Sequence, residues 1–155
     1  MNRDYKYFRW NYLGLKHKID MMNKYILLHI KENNAAICIN AEDIILAYSS
    51  TGKTSNSNIC LSNSPTPCIT VSESVEKIYN KVKFVYINDL RCHLRLHLSE
   101  DNTSVLIKLP AISYIVKDIQ RKRTEIRFKN DIPIDLITVN ESPDQIYETN
   151  IVPHV

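Results

Sequence analysis

Apolar and polar residues alternate through much of the chain. From Tyr25 to Lys31, Ile26, Leu28 and Ile30 fall on one side, and Tyr25, Leu27, His29 and Lys31 on the other. That is the period of a half-buried strand. Glu32-Asn33-Asn34 supplies a turn, Asn being suited to left-handed backbone, and 35–40 reads as the return strand of a hairpin. A third strand follows at 44–49, then a polar loop over 50–58, then short strands at 59–62 and 68–71 around Pro65 and Pro67. The period then changes. Val75, Ile78, Tyr79 and Val82 recur at helical spacing and form one apolar stripe.

The same order of features returns at one fixed offset, the one that carries Leu28 onto Leu96. Leu28-His29-Ile30 falls on Leu96-His97-Leu98, Ile37-Cys38-Ile39 on Val105-Leu106-Ile107, and Ile44 on Ile112. Past a one-residue length change, Ile59 to Asn63 meets Ile126 to Asn130, and Ile69-Thr70-Val71-Ser72-Glu73-Ser74 meets Ile137-Thr138-Val139-Asn140-Glu141-Ser142. Strands are therefore predicted near 91–98, 104–109, 112–118, 124–129 and 134–139. Ser142, Pro143 and Gln145 then make a capping box that opens a second helix. Glu73, Glu141, Glu76 and Asp144 read as anions favoured at helix starts.

These patterns predict an α+β protein made of two tandem repeats, 23–83 and 84–155. Each is a small antiparallel sheet of about five short strands followed by a C-terminal helix. Residues 1–22 form an N-terminal aromatic and basic arm or an over-called start, since Met21-Met22-Asn23-Lys24 looks like a start immediately before the first strand. A unit of about 60 residues buries little core alone. The two are expected to pack with approximate two-fold symmetry, as a covalent version of a homodimer.

Composition narrows the function. The net charge of +3 lies wholly in residues 1–22, where five basic residues face two acidic ones. The remainder carries 15 of each sign, so net charge offers no case for nucleic acid there. No apolar run nears the roughly 18 residues of a membrane span. Two glycines, Gly14 and Gly52, cannot build a dinucleotide fingerprint. Cys38, Cys60, Cys68 and Cys92 form no Cys-x-x-Cys pair, and no secretion signal precedes them. They read as reduced core thiols in a cytoplasmic protein, without zinc.

Three stretches carry a family resemblance: Ile39-Asn40-Ala41-Glu42-Asp43-Ile44, Ile59-Cys60-Leu61-Ser62-Asn63, and Thr70-Val71-Ser72-Glu73-Ser74-Val75-Glu76-Lys77-Ile78. Their order resembles the FlbD (SwrD) family of small flagellar and swarming-motility proteins, in tandem duplication. The second unit keeps Ile107, Ile112, Ile126 to Asn130 and Thr138 to Tyr147, but has Lys108-Leu109-Pro110-Ala111 in place of the Asn-Ala-Glu-Asp turn. Similar short modules also occur among uncharacterised bacterial and bacteriophage proteins. The resemblance implies a fold and a non-catalytic role, with no catalytic residues to carry over.

Candidate chemistry is sparse. Arg91, His93, Arg95 and His97 share one face of a predicted strand, and Arg121, Lys122, Arg123 and Arg127 add charge in the same unit. Such a basic face could meet phosphates; the alternative is a solvated face whose charge guards a sheet edge. His93 and His97 lie about 13 Å apart at strand spacing, too far to share a metal. Ala47 to Thr54 fits a relaxed phosphate-loop pattern, but Ser55-Asn56-Ser57-Asn58 leads into a strand where a helix N-terminus is required. No catalytic residue, cofactor, metal or small-molecule substrate is expected. The sequence points to a bacterial or bacteriophage accessory protein that acts through a protein partner, with homo-oligomerisation open. The alternative is a nucleic-acid-binding regulator using the basic face of the second unit.

Overall fold

The computed structural model describes residues 24–50, 55–62, 64, 68–85, 93–130, 132 and 134–151, with the side chains of 150 and 151 left aside. The expected arm over 1–22, Arg91, Cys92, and Gly52-Lys53-Thr54 of the phosphate-loop pattern lie outside the described residues.

Ten strands are described: β1 (Tyr25–His29), β2 (Ala36–Asn40), β3 (Ile44–Ser49), β4 (Ser57–Leu61), β5 (Cys68–Val71), β6 (His93–His97), β7 (Ser104–Lys108), β8 (Ile112–Asp118), β9 (Arg123–Phe128) and β10 (Leu136–Val139). Helix α1 (Val75–Val85) follows β5, and a single α turn, α2 (Pro143–Ile146), follows β10 and runs into a π-helical turn, Tyr147–Ile151. The α+β expectation is corrected. Among the described residues the chain is mostly β, its ten strands fall into three sheets, and its helices are short. The strands do not form one sheet per half either. The five-stranded sheet has the order β5-β4-β3-β7-β6, so it takes strands from both.

Local sequence explains the elements. Asn34 and Asn102 take the left-handed conformation at the two hairpin turns, with φ of 57° and 58°. The Asn33 and Asp101 side chains each accept the main-chain N–H two residues on, at 3.0 Å in both turns. Short 3₁₀ turns, Ala41–Asp43 and Leu109–Ala111, join each hairpin to the next strand, the first capped by Asn40 Oδ1 on the Glu42 amide at 3.0 Å. The α2 capping box forms as the spacing predicts: Ser142 Oγ accepts from the Gln145 amide, and Gln145 Oε1 from the Ser142 amide.

Hydrogen bonds outside the sheets recur at matching positions of the two halves. Lys31 donates its amide to the Thr70 carbonyl and Ser72 to that of His29, while Ser99 donates to Thr138 and Asn140 to His97. Isolated bridges Ile30–Val71 and Leu98–Val139 accompany them. They link β1 to β5 and β6 to β10. The strands thus follow one serpentine order from β2 to β8: β2-β1, β5-β4-β3, β7-β6, β10-β9-β8.

Two cores lie on the two faces of the shared sheet. One holds Ile26, Leu28, Ile39, Ile44, Ala47, Ile59, Val71 and the α1 stripe Val75, Ile78 and Val82, together with Leu106 from the second half. The other holds Leu94, Leu96, Val105, Ile107, Ile126, Phe128, Val139 and Ile146, together with Ile45, Leu46 and Cys60 from the first. Strand β3 is covered on both faces, so Ile44-Ile45-Leu46-Ala47 is one continuous buried run. A bulge at Ile45 puts Ile45 and Leu46 in the same core. Strand β8 shows the matching irregularity between Ile112 and Tyr114.

Candidate functional site

Four of the eight residues expected to form the basic face hold other partners. His93 is buried; its Nε2–H donates to the Ile44 carbonyl at 2.9 Å, across the seam between β7–β6 and the first half. Burial pushes this imidazole down to about 4, against the pull of the Ile44 carbonyl and with help from the Lys108 charge. Arg95 pairs with Glu76 of α1 at 2.8 Å and lies over the Tyr79 ring, 5.0 Å from its centre. His97 meets Glu141 at 2.7 Å, and Arg127 lies 3.5 Å from Glu125. Arg121 and Lys122 occupy the exposed β8–β9 turn, and Arg123 begins β9. Of eight expected phosphate contacts, His93, Arg95, His97 and Arg127 have main-chain or acidic partners, and Arg91 is not described.

Glu73 and Glu141 are also corrected: they do not serve as helix-start anions alone. Each carboxylate accepts both the amide and the ring Nδ1–H of a histidine 44 residues earlier. For His29 and Glu73 the distances are 2.9 and 2.8 Å; for His97 and Glu141 they are 3.0 and 2.7 Å. Burial pushes the Glu73 carboxyl up, but the His29 ring and amide outweigh it and hold it below the ordinary carboxylate range. These two clamps tie the end of each hairpin to the start of a helix. Each histidine is held by its glutamate through both the ring and the main chain.

The cysteines divide. Cys60 is buried, whereas Cys38 and Cys68 are exposed, which corrects the expectation of core thiols for those two. Cys60 and Cys68 face each other across β4 and β5, with their sulfurs 3.1 Å apart. Burial, then the Cys68 thiol, pushes Cys60 up to about 12.

Hollows of usable size border the sheets among the described residues. A cavity of about 440 Å³ lies between the shared sheet and β10, lined by Leu46, Tyr48, Leu98, Leu136, Glu100 and Arg123 among others. A more open groove of about 450 Å³ runs between β8 and α2, lined by Ile112, Tyr114, Ile115, Pro143, Asp144 and Tyr147. The second borders a free sheet edge. Among the described residues β8 pairs only with β9, and β2 only with β1, so each presents one row of unpaired main-chain groups.

Exposed large apolar side chains gather at these rims. Tyr25 and Leu27 lie on β1 beside β2; Tyr114 and Val116 lie on β8; Tyr147 lies beside the groove. Phe84, at the end of α1, lines a shallow groove with Tyr25 and Leu27, and Ile119 is exposed in the β8–β9 turn. Sequence reasoning missed these edges. The one available signal was Tyr114 and Val116, apolar on the face of β8 that alternation would leave to solvent.

Comparison with family models, with curated proteins and with solved structures found no match for the chain. No helix among the described residues is long and apolar enough to cross a membrane.

Proposed function

We propose that this chain is a non-catalytic accessory protein, of bacterial or bacteriophage origin, that works in the cytoplasm by binding other proteins. One observation carries the reading: five of the seven exposed large apolar side chains among the described residues sit on or beside open strand edges and a groove, not over a cluster of converging ionisable groups. Edges of this kind recognise protein through main-chain pairing and side-chain pockets. His29, His93, His97, Arg95 and Arg127, which could have served catalysis or phosphate binding, have protein partners instead. The resemblance to small swarming-motility proteins, which implies no catalytic residues, supports the same role.

The test is affinity capture with the tagged full chain from a bacterial lysate. A foreign protein retained near one-to-one, and lost from a Phe84→Lys, Ile119→Lys variant or from a Tyr114→Lys, Val116→Lys variant, is the expected result. Retention of no foreign protein overturns the accessory role.

A further inference from the structure

The seam inside the chain is a template for a contact that the chain leaves open. Strand β3 pairs with β7 in the register Leu46–Ile107, Ala47–Leu106 and Tyr48–Val105. By the repeat offset, β3 of the first half corresponds to β8 of the second, and β7 of the second to β2 of the first. Those are the two strands at the free ends of the serpentine. A two-fold arrangement of the halves would pair β8 with β2 inside one molecule. It does not form; the halves are joined head to tail, which corrects the expected two-fold symmetry.

We infer that the chain self-associates head to tail, with β8 of one copy pairing antiparallel with β2 of the next in the register Tyr114–Ile39, Ile115–Cys38 and Val116–Ile37. The inference rests on the reading as a protein-binding module and names its partner, a second copy of this chain.

Side chains at the two rims fit that joint. Leu46 is 2% exposed in the seam, while its counterpart Tyr114 is 54% exposed. In the seam Arg95 lies over Tyr79; at the open joint the corresponding residues are Leu27 and Tyr147, both exposed and apolar. The groove between β8 and α2 has a counterpart between β3 and α1, and there Leu106 of β7 packs into the core beside Ile44, Ala47 and Val75. Of the seven exposed large hydrophobics among the described residues, five, namely Tyr25, Leu27, Tyr114, Val116 and Tyr147, lie at positions that match the seam. Several seam contacts have no like counterpart: His93 and Lys108, which donate to the Ile44 and Glu42 carbonyls, are matched by Tyr25 and Asn40. Glu76 accepts from Arg95 and Ser104, but the matching Asp144 would meet Leu27 and Ala36. The joint between copies is therefore weaker than the seam, and repetition closes a ring or extends a filament.

Sedimentation velocity on the purified full chain tests this over a series up to about 100 μM, a range that populates weak interfaces. The expected result is a weight that rises with concentration in multiples of the 18.0 kDa chain. The Tyr114→Lys, Val116→Lys variant should stay monomeric with an unchanged circular dichroism spectrum, since both side chains are solvent-facing. Leu27→Arg, which restores the seam's cation over Tyr147 and beside Asp144, should tighten association about two- to fivefold. Ile115→Cys, oxidised with glutathione disulfide, should crosslink to Cys38 of another copy. A full chain that remains monomeric throughout overturns the inference, including the case in which its own N-terminal residues cover an edge. So does an assembly that survives the double lysine variant, or a crosslink to a different cysteine. These measurements use purified protein. A monomeric chain that still captures a foreign partner overturns self-association alone, and a self-associating chain that captures none overturns the accessory role alone.

Discussion

His93 gives its Nε2–H to the main-chain carbonyl of Ile44, 2.9 Å away, and so joins the second hairpin to the first half of the chain. The bond needs only the neutral ring, and Lys108 nearby disfavours a second proton. The folded ring titrates at about 4, against 6.5 for a free imidazole. Its contribution is complete above about 6.5, fades as pH falls, and is gone below about 4. The chain should lose about 2 kcal/mol of stability between pH 7 and pH 5 from this group. Urea titrations at the two pH values check it. His93→Gln, which keeps an amide donor but cannot titrate, should flatten the difference.

Removing either histidine clamp should loosen one hairpin. Glu73→Ala leaves the His29 amide and ring without their acceptor, and Glu141→Ala does the same to His97. Each should cost about 1–3 kcal/mol in chemical denaturation. Because the Glu73 carboxyl is held below its ordinary range, its contribution is full at neutral pH and is lost in acid as it protonates. The Glu73→Ala variant should show a shallower acid transition than the parent.

The two halves should unfold together. Leu106 from the second half is buried in the first core, and Leu46 from the first half is buried in the second. Leu106→Ala should cost about 2–5 kcal/mol and shift a single calorimetric transition as a whole. Two resolved transitions, with only one displaced, would contradict the shared sheet.

Thiol labelling should separate the cysteines. Cys60 is buried and pushed up to about 12, so it presents almost no thiolate at pH 8. Peptide mapping after brief alkylation should find Cys38 and Cys68 modified and Cys60 modified only after denaturant. Early modification of Cys60 would show that the β4–β5 end of the sheet opens.

Nucleic acid should bind weakly or not at all. With Arg95, His97 and Arg127 facing Glu76, Glu141 and Glu125, the basic strand has little free charge for phosphates. A gel-shift series should show no salt-dependent retardation. A shift that disappears in Arg121→Ala, Lys122→Ala would instead place a contact at the β8–β9 turn.

Much of the local structure was legible. Alternation located the strands, Asn34 the first turn, and Ser142 with Gln145 the second helix start, because each depends on neighbours a few residues away. What the basic stripe meets was not legible, because alternation says which residues share a face, and not what the face meets. Arg95 meets Glu76 and Tyr79, and His97 meets Glu141, through contacts that no short window contains.

The run Ile44-Ile45-Leu46-Ala47 makes the same division. Its apolar character comes from the chain alone and marks a strand with both faces covered. That β7 supplies its neighbour, while the corresponding β8 pairs only with β9 among the described residues, belongs to the tertiary structure. Strand edges bond through main-chain groups that every residue carries, so the side-chain pattern does not name the partner. Only folding two like halves head to tail decides which edge is closed and which stays unpaired among the described residues.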